Sequence, residues 1–113
     1  MLRDYRAYLE DILEAASAAR EFVAGMTKEG LAEDRRTRDA VIRNLEIVGE
    51  AAKKLPAQMK RSHHEVEWKK IAGMRDILIH DYFGIDMDIV WDIVQNKLPP
   101  LADQVRRILE EPK

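Results

Sequence analysis

The stretch Ile71-Ala-Gly-Met-Arg-Asp-Ile-Leu-Ile-His-Asp-Tyr-Phe-Gly84 concentrates Arg75, Asp76, His80 and Tyr82. These side-chain types together suit cleavage of a phosphodiester. In metal-free RNA cleavage a ribose 2′-hydroxyl attacks the adjacent phosphorus, which needs a group titrating near neutrality to move protons. Histidine, with an unperturbed pKa of about 6.5, is that group. The reaction also needs fixed positive charge where the phosphorane gathers negative charge, and a permanently protonated, fork-shaped guanidinium supplies it. Asp76, one helical turn before His80, is placed to orient the imidazole and favour its charged form. Tyr82 offers a hydroxyl to a substrate or to a modifying enzyme.

Helical geometry sorts these residues. At about 100° per residue, Asp76 and His80 share a face, whereas Arg75 and His80 stand about 140° apart. Convergence of the Arg and the His therefore requires a long Arg side chain, an unwound helix end or a second subunit. The same residues also read as a helix C-cap with a surface ion pair, His being favoured there by the helix dipole. Spacing alone does not identify an enzyme.

The elements that must carry this stretch follow from periodicity. Tyr5, Tyr8, Leu9, Ile12, Ala15, Ala16, Ala19, Phe22 and Val23 recur at three- and four-residue spacing, predicting an amphipathic helix over 3–24 that Gly25 ends. A loop through Gly30 is expected next. Asp34 or Thr37 then caps a second helix facing inward with Val41, Leu45, Val48, Ala52 and Leu55, closed by Pro56. Residues 56–66 are polar, basic and without clear period, as in a loop or frayed turn. A third helix is expected from about Glu67 to His80 or Tyr82, with Ile71, Met74, Ile77 and Leu78 inward and Gly84 as its stop. A fourth begins near Asp86, is interrupted at Pro99-Pro100, and resumes with Leu101, Val105, Ile108 and Leu109. No period-two run and no hairpin turn signals a strand. The expected fold is all-α: a single-domain, up-and-down bundle of four or five helices over 1–113, the second and third helices forming one hairpin and the third and fourth another.

Composition narrows the class. Within 113 residues, 46% apolar content is enough to bury a core, and the absence of cysteine excludes disulfides, thiolate metal sites and cysteine nucleophiles. No apolar stretch is long enough to span a bilayer and no signal-peptide pattern opens the chain, so a cytoplasmic protein without a membrane partner is expected. The net charge of −2 conceals a basic stretch: residues 53–75 hold seven Lys or Arg and two Glu. Such a cluster is either a solvated helix surface or a phosphate-binding one.

Arg75-Asp-Ile-Leu-Ile-His80-Asp-Tyr82 has the form R-x4-H-x-Y. It is preceded by Ile71-Ala-Gly-Met and followed by Phe83-Gly-Ile-Asp and Val90-Trp-Asp-Ile. With Asn44-Leu-Glu-Ile-Val-Gly-Glu-Ala-Ala-Lys53 and Leu98-Pro-Pro-Leu101, these blocks closely resemble the HepT-like HEPN proteins of prokaryotes over nearly the whole chain. The resemblance implies an all-α bundle that dimerises with the two motifs facing each other across a cleft, so that each site draws on both subunits. It implies a metal-independent ribonuclease toxin of a type VII-like toxin–antitoxin pair, encoded beside an MntA-like minimal nucleotidyltransferase antitoxin that transfers AMP from ATP to the motif tyrosine. By position, Arg75 and His80 are then the catalytic pair, Tyr82 the modification site and Asp76 a supporting residue. Lys69 and Lys70, one to two turns before Arg75, become candidate RNA contacts, with Lys53 and Lys54 at the end of the second helix. No cofactor and no metal ligand set is implied. The alternative is a non-catalytic helical partner or substrate of such a nucleotidyltransferase.

Other residues carry plainer readings. His63-His64 with Glu65 and Glu67 lacks the spacing of a metal site and reads as a solvated basic loop. Glu46 and Glu50 read as polar contacts of the bundle beside Arg43. Trp68 and Trp91 read as core or dimer anchors, and Met26, Met59, Met74 and Met87 as packing.

Overall fold

A computed structural model describes residues 4–80 and 84–112, without the side chains of Arg75 and of residues 77–80. The helices are α1 (Tyr5–Phe22), α2 (Lys28–Glu33), α3 (Arg35–Lys53), α4 (Ala57–Ser62), α5 (Trp68–His80), α6 (Met87–Asp92) and α7 (Leu98–Glu110), with a π turn over Ile93–Lys97. No strand occurs among the described residues.

Local chemistry starts and stops these helices. Asp4 caps α1 by accepting from the Arg6 N–H at 2.9 Å. Gly25 takes φ +79°, the left-handed turn after α1 that a side chain would oppose. Thr27 then caps α2 through the Gly30 N–H, so part of the expected loop is a short helix, anchored by fully buried Leu31. Asp34 caps α3 through the Thr37 N–H and also accepts from the Thr37 hydroxyl at 2.9 Å. These two donors hold the Asp34 carboxyl below its usual range. Pro56, as expected, ends α3, and it also opens α4, which replaces the expected frayed turn and is pinned by buried Met59.

The interruption before Pro99 and Pro100 takes the form of the π turn. Neither proline can donate to a carbonyl four residues back, and the Leu98 N–H instead reaches the Ile93 carbonyl five residues back. Both prolines then sit in the first turn of α7, where no donor is missed.

The core is one cluster in which α1 and α3 are the central pair, α5 packs on α3, and α7 packs on α1. Leu9, Ile12, Ala16 and Ala19 of α1 and Val41, Leu45, Val48 and Ala52 of α3 are buried against this seam. Ala15, Ala16 and Ala19 are the small buried residues of α1. The expected pairing of the third helix with the fourth is replaced, among the described residues, by α7 on α1. The Arg6 guanidinium donates to the carbonyls of Leu109 and Glu111, tying the start of α1 to the end of α7 and satisfying carbonyls that a helix end leaves free. At its other end, α1 borders a depression of about 500 Å³ shared with Trp91, Val94 and Pro99, so α1 and α7 run antiparallel.

One expected core residue is displaced. Phe22 is 46% exposed because Val23, on the inward side of the last turn, takes its place. Ile71 and Met74 are buried as expected, while the side chains of Ile77 and Leu78 lie outside the described residues. So do residues 81–83, which separate the last described residue of α5, His80, from its expected stop, the non-helical Gly84.

Candidate functional site

Ile71 and Met74 anchor α5 against α3 and so fix its rotation. With those two inward, Lys69 and Asp76 are exposed on the opposite side. Lys69, Gly73, Asp76 and His80 occupy helical positions four, seven and eleven residues along, a stripe within about 40° of one line. Gly73, in the middle of it, has nothing among the described residues within 4 Å of where a Cβ would stand. Helical glycine costs up to about 1 kcal/mol relative to alanine, and no packing need among the described residues explains it.

Backbone geometry narrows the routes by which Arg75 and His80 meet. The α-helix runs unbroken through His80, so the five-residue offset of about 140° is retained and unwinding before His80 is not one of them. A long side chain or a second subunit remains. Asp76 stands exposed on the same stripe as the His80 position. Tyr82, the expected modification site, lies outside the described residues.

Of the four candidate basic contacts, Lys69 and Lys70 come together in the first turn of α5, whereas Lys53 and Lys54 stand exposed where α3 ends. Lys70 pairs with Glu67 at 2.7 Å, which raises the lysine's pKa and lowers the glutamate's, each mainly through that hydrogen bond. Both groups are solvent-exposed, so the pair contributes little to stability. Lys69 has no ion pair among the described residues.

Two features were hidden in the apparently aperiodic 56–66 segment. First, α4 places Lys60 and Arg61 across from Lys69 and Lys70, and these residues with His64 and the acidic Glu67 rim an open groove of about 680 Å³ floored by Val66 and Trp68. The basic run in the sequence signalled the charge but not the concavity. Second, His63 is not part of a solvated loop, although its neighbour His64 is 88% exposed. The His63 side chain is 14% exposed, with Nδ1 at 2.9 Å from the Met59 carbonyl and Nε2 at 2.8 Å from Glu111 Oε1. Its own carbonyl accepts from the Trp68 indole N–H at 3.0 Å. Trp68 is thus a core anchor, and His63 clasps α4, α5 and the end of α7 together.

Elsewhere, Glu46 meets Arg43 at 3.9 Å, the polar contact expected of it. Met59 and Met74 are buried, and Trp91, Met26 and Met87 pack partly buried against the core. No helix among the described residues is long and apolar enough to cross a membrane.

An all-α bundle with the Arg75 and His80 positions towards one end of α5 and a basic groove at its other end defines a small helical domain built around a polar helix surface. A family model described as "Ribonuclease HepT-like" matches residues 12–108, and the chain belongs to that family. It is 43% identical over 108 residues to the "Probable ribonuclease HepT" of Thermococcus cleftensis, covering 96% of this chain and 98% of the relative. It is 44% identical over 108 residues to the "Putative RNase TTE0752" of Caldanaerobacter subterraneus subsp. tengcongensis, covering 96% of each. A third relative, "Gamma-glutamylcyclotransferase and putative RNase MJ0434" of Methanocaldococcus jannaschii, is 38% identical over 111 residues, and the chain spans half of that protein's length. No solved structure matches the chain.

Proposed function

We propose that this chain is a metal-independent endoribonuclease toxin, working as a homodimer in the cytoplasm and restrained by an MntA-like nucleotidyltransferase. The observation that supports this most is family membership along nearly the whole chain together with an intact R-x4-H-x-Y motif in the sequence, whose Arg75 and His80 positions fall on α5. In the reaction, the ribose 2′-oxygen loses its proton and attacks phosphorus, the bond from phosphorus to the 5′-oxygen breaks, and that oxygen takes up a proton. The products are a 2′,3′-cyclic phosphate and a 5′-hydroxyl. His80 moves protons as general acid and base, Arg75 stabilises the charge of the phosphorane, and Asp76 orients His80.

The helical geometry favours a site shared between copies. Arg75 and His80 of one chain diverge by about 140° on an unbroken helix, and a two-fold axis beside α5 brings the His80 of one copy towards the Arg75 of the other. Adenylylation of Tyr82 then sets a bulky, negatively charged phosphodiester two residues from His80, opposing the substrate by charge and by occlusion.

The deciding experiment is cleavage of mixed cellular RNA in EDTA by unmodified protein, wild type beside His80→Ala, with intact mass recorded. Cleavage by wild type and none by the variant is expected. Unmodified wild type that cuts no RNA overturns the reading and leaves a non-catalytic partner of the nucleotidyltransferase.

A further inference from the structure

We propose that the groove between α4 and the first turn of α5 is a subsite for the sugar–phosphate backbone of single-stranded RNA, leading along the exposed stripe of α5 to the R-x4-H motif. This rests on the ribonuclease reading above and adds to it a path for the strand beyond the scissile phosphate.

Three observations converge on the groove. Lys60 and Arg61 come from the last turn of α4 and Lys69 from the first turn of α5, so two separate elements supply cations to one concavity. None of the three has an ion pair among the described residues, whereas neighbouring Lys70 is already answered by Glu67. Unanswered positive charge held on two walls attracts a polyanion more strongly than the same residues spread over a convex surface, because a concave, low-dielectric wall focuses the field.

The groove is also continuous with the motif-bearing helix. Lys69 stands on the same line as Asp76 and the His80 position, about 10 and 16 Å further along the helix. Between them lies Gly73, which carries no side chain and has open space beside it among the described residues. A strand leaving the groove therefore crosses the helix at Gly73 and passes Asp76 before it reaches the His80 position.

The floor is rigid. Val66 and Trp68 are buried beneath the cations, and the indole is held by the His63 carbonyl, which the His63–Glu111 contact fixes in turn. With the floor fixed, what a bound phosphate has to order is the cationic side chains themselves. Phosphate contacts of this kind position a strand and carry no base preference, so the subsite accepts many sequences.

The test uses the whole protein and a fluorescent single-stranded RNA with 2′-O-methyl groups throughout, which cannot be cut because the attacking hydroxyl is blocked. Affinity is measured across a salt series for wild type, for Lys60→Gln/Arg61→Gln/Lys69→Gln, and for Arg20→Gln/Arg35→Gln/Arg36→Gln. The control removes equal charge from exposed sites on α1 and at the start of α3. Single-strand binding loses about 0.7 in the slope of log affinity against log salt for each phosphate contact removed. The groove variant is expected to lose about 2 in slope and roughly tenfold or more in affinity at low salt, with the control unchanged. A wild-type slope in the groove variant, or an equal loss in the control, overturns the subsite while RNA cleavage by wild type leaves the ribonuclease reading intact. Wild type that neither cuts natural RNA nor binds the methylated strand overturns both.

Discussion

His63 Nε2 lies 2.8 Å from Glu111 Oε1, joining the end of α4 to the residue that follows α7 across 48 positions of sequence. The other ring nitrogen faces the Met59 carbonyl, so both partners are acceptors and the geometry is satisfied in full by an imidazolium that donates twice. The Glu111 hydrogen bond, then the Met59 carbonyl, raise the His63 pKa, with a smaller contribution from Glu65, and burial opposes them. A raised folded-state pKa means that the contact stabilises fully below the unfolded value of about 6.5 and is lost as pH rises through the folded value. Thermal unfolding of wild type and Glu111→Gln at pH 6 and pH 8.5 is expected to show the larger gap at pH 6. Equal gaps at the two pH values contradict an imidazolium at this position.

A shared active site predicts complementation. Arg75→Ala and His80→Ala proteins are each expected to be inactive, yet a refolded equimolar mixture contains mixed dimers in which one site has an intact Arg75 from one copy and an intact His80 from the other. Random pairing leaves about a quarter of the wild-type sites, and activity near that level is the expected result. A mixture as inactive as its components places both residues of a site on one chain.

Tyr82 is the proposed acceptor of AMP. Incubation with ATP and an MntA-like nucleotidyltransferase is expected to add one adenylyl group to wild type and none to Tyr82→Phe, which stays active on RNA. Intact mass and RNA cleavage measured on the same samples check this, and adenylylation of the Phe variant excludes Tyr82 as the acceptor.

Gly73 sets stability against function. Replacing it by Ala removes a helix-interior glycine with no described residue near the new Cβ, so the fold is expected to gain about 0.5–1 kcal/mol and Tm to rise by a few degrees. RNA cleavage is expected to fall, because the stripe between Lys69 and Asp76 then carries a methyl group where a strand or partner helix approaches. A more stable protein with undiminished cleavage shows that the open position is not used.

The sequence by itself determined what depends on neighbours within a few positions. The inward faces of α1 and α3, the Asp34 cap, the end of α1 at Gly25 and the disturbance ahead of Pro99-Pro100 follow from periodicity and backbone chemistry. The R-x4-H-x-Y motif and its 140° divergence are equally local. Only the tertiary structure decided which helix packs on which, because an apolar stripe states that it must be covered and not by what: α7 covers α1, and α5 is left with an exposed surface. The α4 groove and the His63–Glu111 contact were illegible for the same reason. A six-residue helix is too short to show a period, and two residues 48 positions apart carry no local sign that the folded chain will bring them within hydrogen-bonding distance.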